Sequence, residues 1–95
     1  MGLSDLEYAV LSWTVHDYEA IHTIRDNVAT DINRKISDME LGQVLLGLHS
    51  RDLLESYVYD DKTQQYIASP PKGNELSSVW WLTSEQGKEI ANSGD

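Results

Sequence analysis

The 95-residue chain has no cysteine, which excludes disulfide staples, cysteine-ligated zinc and a thiol nucleophile. Positive charge is scarce. Seven Lys and Arg stand against 16 Asp and Glu, for a formal net charge of −9. Attraction to nucleic acid or to an anionic membrane rests on basic clusters, so this balance argues against a generic affinity for either. A local basic patch is still allowed, because charges are screened beyond about 8 Å at physiological salt. Long apolar runs are missing too. Tyr8-Ala9-Val10-Leu11 is short and follows Asp5 and Glu7 rather than lysines, so it reads neither as a membrane span nor as a targeting segment. The opening Met1-Gly2 looks like a lipidation start, but Leu6 stands where Ser or Thr is expected. A cytoplasmic protein without a membrane partner is the expectation. No internal repeat and no low-complexity segment is visible.

What is there is ordinary for a globular chain: 40% hydrophobic and 24% charged residues, too apolar for a disordered tail. One small domain over residues 1–95 fits this length, burying roughly two-thirds of its unfolded surface. Ser4-Asp5-Leu6-Glu7 is a capping box opening a first helix over about residues 4–16, with Leu3, Leu6, Val10 and Trp13 on one stripe and Ala9 at its margin. Ile21, Ile24, Val28 and Ile32 recur at helical spacing within a second helix over about residues 20–33; its β-branched residues make packing, not propensity, the source of its stability. A second capping box, Ser37-Asp38-Met39-Glu40, opens a third helix over about residues 38–51, with Leu41, Val44, Leu45 and Leu48 facing inward and Asp52 suited to a left-handed terminus. The pattern then alternates. Leu54–Tyr59 reads as a strand, Asp60–Thr63 as a turn and Gln64–Ile67 as a short return strand. Ser69–Asn74 is a loop, Ser78–Leu82 is the last strand, and a short final helix follows over about residues 84–91. The strands pairing as a wing are expected over about residues 54–60 and 78–82.

This order of elements resembles the winged helix-turn-helix fold, an α+β architecture of three core helices, a β-hairpin wing and a short C-terminal helix. The run Leu45-Leu46-Gly47-Leu48-His49-Ser50-Arg51-Asp52-Leu53-Leu54-Glu55 is similar to a recognition helix passing into the first wing strand, with Asp52 where Gly is usual. Trp81-Leu82-Thr83-Ser84-Glu85-Gln86-Gly87-Lys88 resembles the strand-to-helix junction of MarR-like and PadR-like transcription regulators. The resemblance implies that the third helix enters a DNA major groove while the wing touches backbone. Gln43 is suited to adenine and Leu46 or Met39 to a thymine methyl, with Gly42 and Ser50 on the same outward face. Arg34 and Lys35 before that helix, and Lys62 and Lys72 beside the wing, suit phosphates. The competing reading makes these charges balance neighbours: Arg34 and Lys35 against Asp31 and Asp38, Lys62 against Asp60 and Asp61.

Tyr8, Leu11 and Val15 give the first helix a second apolar side, and alternation sends Trp80 and Trp81 to opposite faces of their strand. Either the last helix covers that side, or a homodimer uses Tyr8, Leu11, Val15 and Trp80. Enzymatic patterns are weak. His22 and Asp26 form an i, i+4 pair beside His16, Asp17 and Glu19 without an identifiable third metal ligand. No phosphate loop or catalytic triad spacing occurs, and Gly42 and Gly47 read as places where another helix or backbone approaches closely. The chain is expected to be no enzyme and to need no cofactor. Two functions follow: a DNA-binding transcription regulator acting on double-stranded DNA without an effector domain, or an acidic winged-helix module that binds protein and not DNA.

Overall fold

Ser4 and Glu7 close their capping box in both directions, Ser4 N–H to Glu7 Oε1 at 2.9 Å and Glu7 N–H to Ser4 Oγ at 3.1 Å, and α1 (Asp5–Trp13) begins there. The computed structural model describes residues 3–71 and 76–93. Helix α1 ends short of the expected His16. The Thr14 hydroxyl bonds back to Val10 O at 2.9 Å and meets Thr83 Oγ1 at 2.6 Å, while Thr14 O accepts the Thr83 N–H at 2.8 Å. The last strand thus takes over the backbone that another helical turn would need.

A two-residue strand, β1 (Glu19–Ala20), precedes α2 (Ile21–Ile32); the sequence pattern assigns these two residues to the helix start. They pair with Trp81 and Trp80. Asn33 ends α2 in the left-handed region (φ 54°), which Asn tolerates better than most residues. Helix α3 (Asp38–Ser50) starts where Ser37 Oγ accepts the Glu40 N–H at 3.1 Å. It ends at the expected left-handed Asp52 (φ 62°), with Leu53 N–H returned to Leu48 O at 3.0 Å.

Strands β2 (Leu54–Asp60) and β3 (Gln65–Ala68) form the hairpin, tied at its turn by the Asp60 carboxylate, which accepts from Lys62 N–H and Thr63 Oγ1. A 3₁₀ turn (Leu76–Ser78), β4 (Trp80–Thr83) and α4 (Glu85–Ser93) follow. The antiparallel sheet runs β1-β4-β2-β3. The wing strands expected over residues 54–60 and 78–82 therefore pair, but not as a simple hairpin. Strand β2 holds β4 along its first half (Leu54↔Thr83 to Tyr57↔Trp80) and β3 along its second (Tyr57↔Ala68 to Asp60↔Gln65) on the opposite edge. The β3–β4 connection must cross over the sheet.

The core lies between the helices and the inner sheet face. Val10, Leu11, Ile24, Val28, Leu41, Leu45 and Leu48 surround a fully buried Trp81. Ile32 and Val44 pack at its margin. Trp13, expected inside, is exposed, its indole N–H donating to Asp31 Oδ2 at 2.7 Å. Leu11 takes the interior place because α4 closes over α1, with Ile90 and Ala91 against the core and Tyr8 Oη donating to Ala91 O at 2.6 Å. Ser84 caps α4 through the Gly87 N–H (3.0 Å) and donates to Asp52 O (2.6 Å). Gly87 is required here: a Cβ would lie 2.3 Å from Leu53 O and 2.7 Å from Thr83 Cγ2.

Candidate functional site

The outward side of α3 begins with Met39, 75% exposed, and continues with Gln43, also exposed. Leu46 is half-buried and packs at the edge of the core rather than standing free. Gly42 is buried because the crossing connection lays Leu76 on it; a Cβ there would lie 2.9 Å from Leu76 Cδ1. That matches the close approach expected at Gly42, although it is made by a side chain. Gly47 is exposed with nothing within 4 Å, so no close approach explains it. Between α3 and the connection runs a groove of about 500 Å³, walled by Met39, Gln43 and Leu46 on one side and Leu76 and Ser77 on the other.

Two of the cations around α3, Arg34 and Arg25, are engaged by its own acids. Arg34 grips Glu40 with both nitrogens, at 3.0 and 3.1 Å, and this hydrogen bonding holds the Glu40 carboxyl below the usual carboxylate range. Glu40 therefore does not turn back to complete the second capping box. Arg25 reaches Asp38 at 2.7 Å and Asp26 at 3.2 Å, and Arg51 reaches Glu7 at 3.3 Å. The balance expected from sequence thus has different partners: Asp38 belongs to Arg25, and Asp31 to the Trp13 indole. Lys35 is exposed and makes no ion pair among the described residues; it lines a separate hollow with Arg25 and Ser37. Lys62 sits at the hairpin turn, exposed and likewise without an ion pair among the described residues. Ser50 is exposed at the far end of α3, its hydroxyl donating to Gly47 O at 2.8 Å. Lys72 lies outside the described residues. The fold therefore brings Gln43 and Leu46 to one groove but leaves Lys35, Ser50 and Lys62 outside it.

The four residues expected at a dimer surface do not share one. Leu11 is fully buried, and Tyr8 is held by α4. Val15 lies beyond the end of α1 and is half-buried, because the helix stops before the stripe reaches it. Trp80 is half-buried on the outer sheet face, opposite in direction to Trp81 as alternation requires. There it belongs to an aromatic cluster that the sequence pattern does not reveal. Tyr18 stacks on Tyr66 (centroids 3.9 Å, 11°) and meets Tyr57 edge-on at 4.9 Å; Tyr66 meets Tyr59 at 5.2 Å and Trp80 at 5.5 Å. The alternating tyrosines of β2 were the available signal, but only the strand register joins them to Tyr66 and Trp80. Burial, with a hydrogen bond to Glu55 Oε1 at 2.8 Å, pushes the Tyr57 phenol up to about 12. Burial, aided by Asp17, also raises the Glu19 carboxyl.

A polar hollow of about 420 Å³ lies where α3 meets β2, with His49, Ser56 and Ser84 on its wall. Two of its hydroxyls are engaged: Ser56 donates to Ser69 O and Ser84 to Asp52 O. Among the described residues no group of three His, Asp or Glu side chains is placed to hold a metal ion, and no helix is long and apolar enough to cross a membrane. No protein-family model matches the chain, and no curated protein or solved structure matches it either.

Proposed function

We propose that the chain is a winged-helix protein-interaction module that receives a partner segment in the groove between α3 and the Leu76–Ser78 turn. The α+β element order supports the winged-helix reading. Helix α3 feeds β2 through the left-handed Asp52, and β4 sits between β1 and β2 with α4 capped directly after it. The pairing of Arg34 with Glu40 and of Arg25 with Asp38 carries the functional reading. These pairs neutralise the cations that would meet phosphate and leave an outward face of Met39, Gln43, Leu46 and Leu76. Such a face suits the apolar stripe of an amphipathic helix better than a polyanion. The net charge of −9 favours a helix with basic flanks.

A second reading, DNA binding, draws on exposed Gln43 and on Lys35 and Lys62, which no ion pair among the described residues engages. Two lysine–phosphate contacts predict a log–log salt slope of only about −2.

Titration with a random-sequence duplex separates the two. The module reading expects no binding even at low salt. It also expects a lysine-flanked amphipathic leucine helix to shift the amide resonances of Gln43, Leu46 and Ser77, and Met39→Asp to abolish those shifts. Duplex binding with that salt slope, weakened by Lys35→Ala, would overturn it.

A further inference from the structure

The outermost strand carries a feature that neither the groove nor the duplex reading uses. Among the described residues, strand β3 pairs with β2 alone and no strand lies on its other edge. The Ser69 N–H to Ser56 O bond at 3.1 Å sets the phase of the antiparallel ladder. With Tyr57↔Ala68 and Val58↔Ile67 in register, Ile67 and Gln65 bond towards β2, so Tyr66 and Ala68 turn their N–H and C=O groups outward. Both faces beside this edge are apolar. Val58 and Ile67, opposite one another, are 38% and 47% exposed; Tyr59, opposite Tyr66 on the other face, is 42% exposed. Edge strands are commonly protected by Lys, Pro or an inward charge, and Gln65-Tyr66-Ile67-Ala68 has none of these; the first proline is Pro70.

We propose that β3 accepts an extended segment of another protein as a fifth strand, with basic and β-branched residues at alternate positions. Outward N–H and C=O groups supply the ladder bonds, and the period of two assigns the side chains. Residues on the tyrosine side are basic. Tyr59, 42% exposed, offers its ring to a guanidinium, and Glu55 lies on that face beside Tyr57 in a chain of net charge −9. Residues on the other side are apolar, against Val58 and Ile67. A second copy of this chain would bring its own charge of −9 to the same edge, which favours a cationic partner over self-pairing.

The probe is a fluorescein-labelled octapeptide alternating arginine and valine, titrated by anisotropy into the full chain. Saturable binding is expected, at least tenfold weaker when glutamate replaces arginine. Ala68→Pro should weaken it at least tenfold, since it deletes an outward N–H and leaves the β2 ladder intact. A peptide N-methylated at alternate residues should also fail to bind, a readout that needs no variant. Met39→Asp should leave this binding unchanged, which separates the edge from the α3 groove. Absence of saturable binding, equal affinity for the arginine and glutamate peptides, or indifference to both Ala68→Pro and N-methylation would overturn the proposal. So would light scattering that shows a dimer dissolved by Ala68→Pro, because the edge would then belong to a second copy.

Discussion

Two sides of this molecule carry more apolar surface than one core needs, and they meet different fates. On α1, Tyr8 and Leu11 add a second apolar side, and α4 closes over it, anchored by Tyr8 Oη on Ala91 O and by Gly87 against Leu53 O. Around α3 and the hairpin, Met39, Val58, Tyr59 and Ile67 stay exposed, and among the described residues it is the turn laying Leu76 on Gly42 that returns to α3 there. A surplus of apolar residues on a helix is therefore not an interface by itself. What matters is whether the chain comes back to cover it.

Gly87→Ala should break the covered side most severely. Its Cβ meets backbone rather than a flexible side chain, and a loss of about 2–3 kcal/mol in urea unfolding is expected. A loss under about 0.5 kcal/mol would show that α4 is not seated as described. Tyr8→Phe, which removes one anchor of the same helix, should cost about 1 kcal/mol. On the open side Gly47→Ala should instead stabilise by about 1 kcal/mol, since the position is helical with empty space around it. Gly42→Ala should gain less, because Leu76 must move aside. Met39→Asp should change stability by no more than about 0.5 kcal/mol while removing helix docking, so that its effect reports binding and not folding.

The smallest effect belongs to the outer sheet face. Tyr57 sits above its ordinary 10.0, at about 12, so the fold favours the neutral phenol. That contribution is complete below pH 10 and is lost as pH rises towards 12. A tyrosinate absorbance step near pH 12 should be present in the chain and missing from Tyr57→Phe.

Much of the fold was legible in local pattern. Ser4 with Glu7, Ser37 with the Glu40 N–H, and left-handed Asp52 mark helix ends through bonds between residues a few positions apart. The buried faces of Ile21, Ile24 and Val28, and of Leu41, Leu45 and Leu48, follow from helical periodicity. The exchange of Trp13 for Leu11 did not, because it depends on α4. Nor did the place of β4 between β1 and β2, which depends on a long crossover. The candidate site was legible in part: Gln43 is outward and Leu46 reaches the groove, but nothing local couples Arg34 to Glu40 rather than to Asp31.

By itself the amino-acid order determined the helices, their caps and the alternating strands, because each rests on hydrogen bonds and side-chain periods that close within a turn or two of chain. Only the tertiary structure decided which cations meet which acids, which apolar sides are covered and which strand lies outermost among those described. Those outcomes depend on where distant segments return, and the charge and periodicity of a local segment do not encode that.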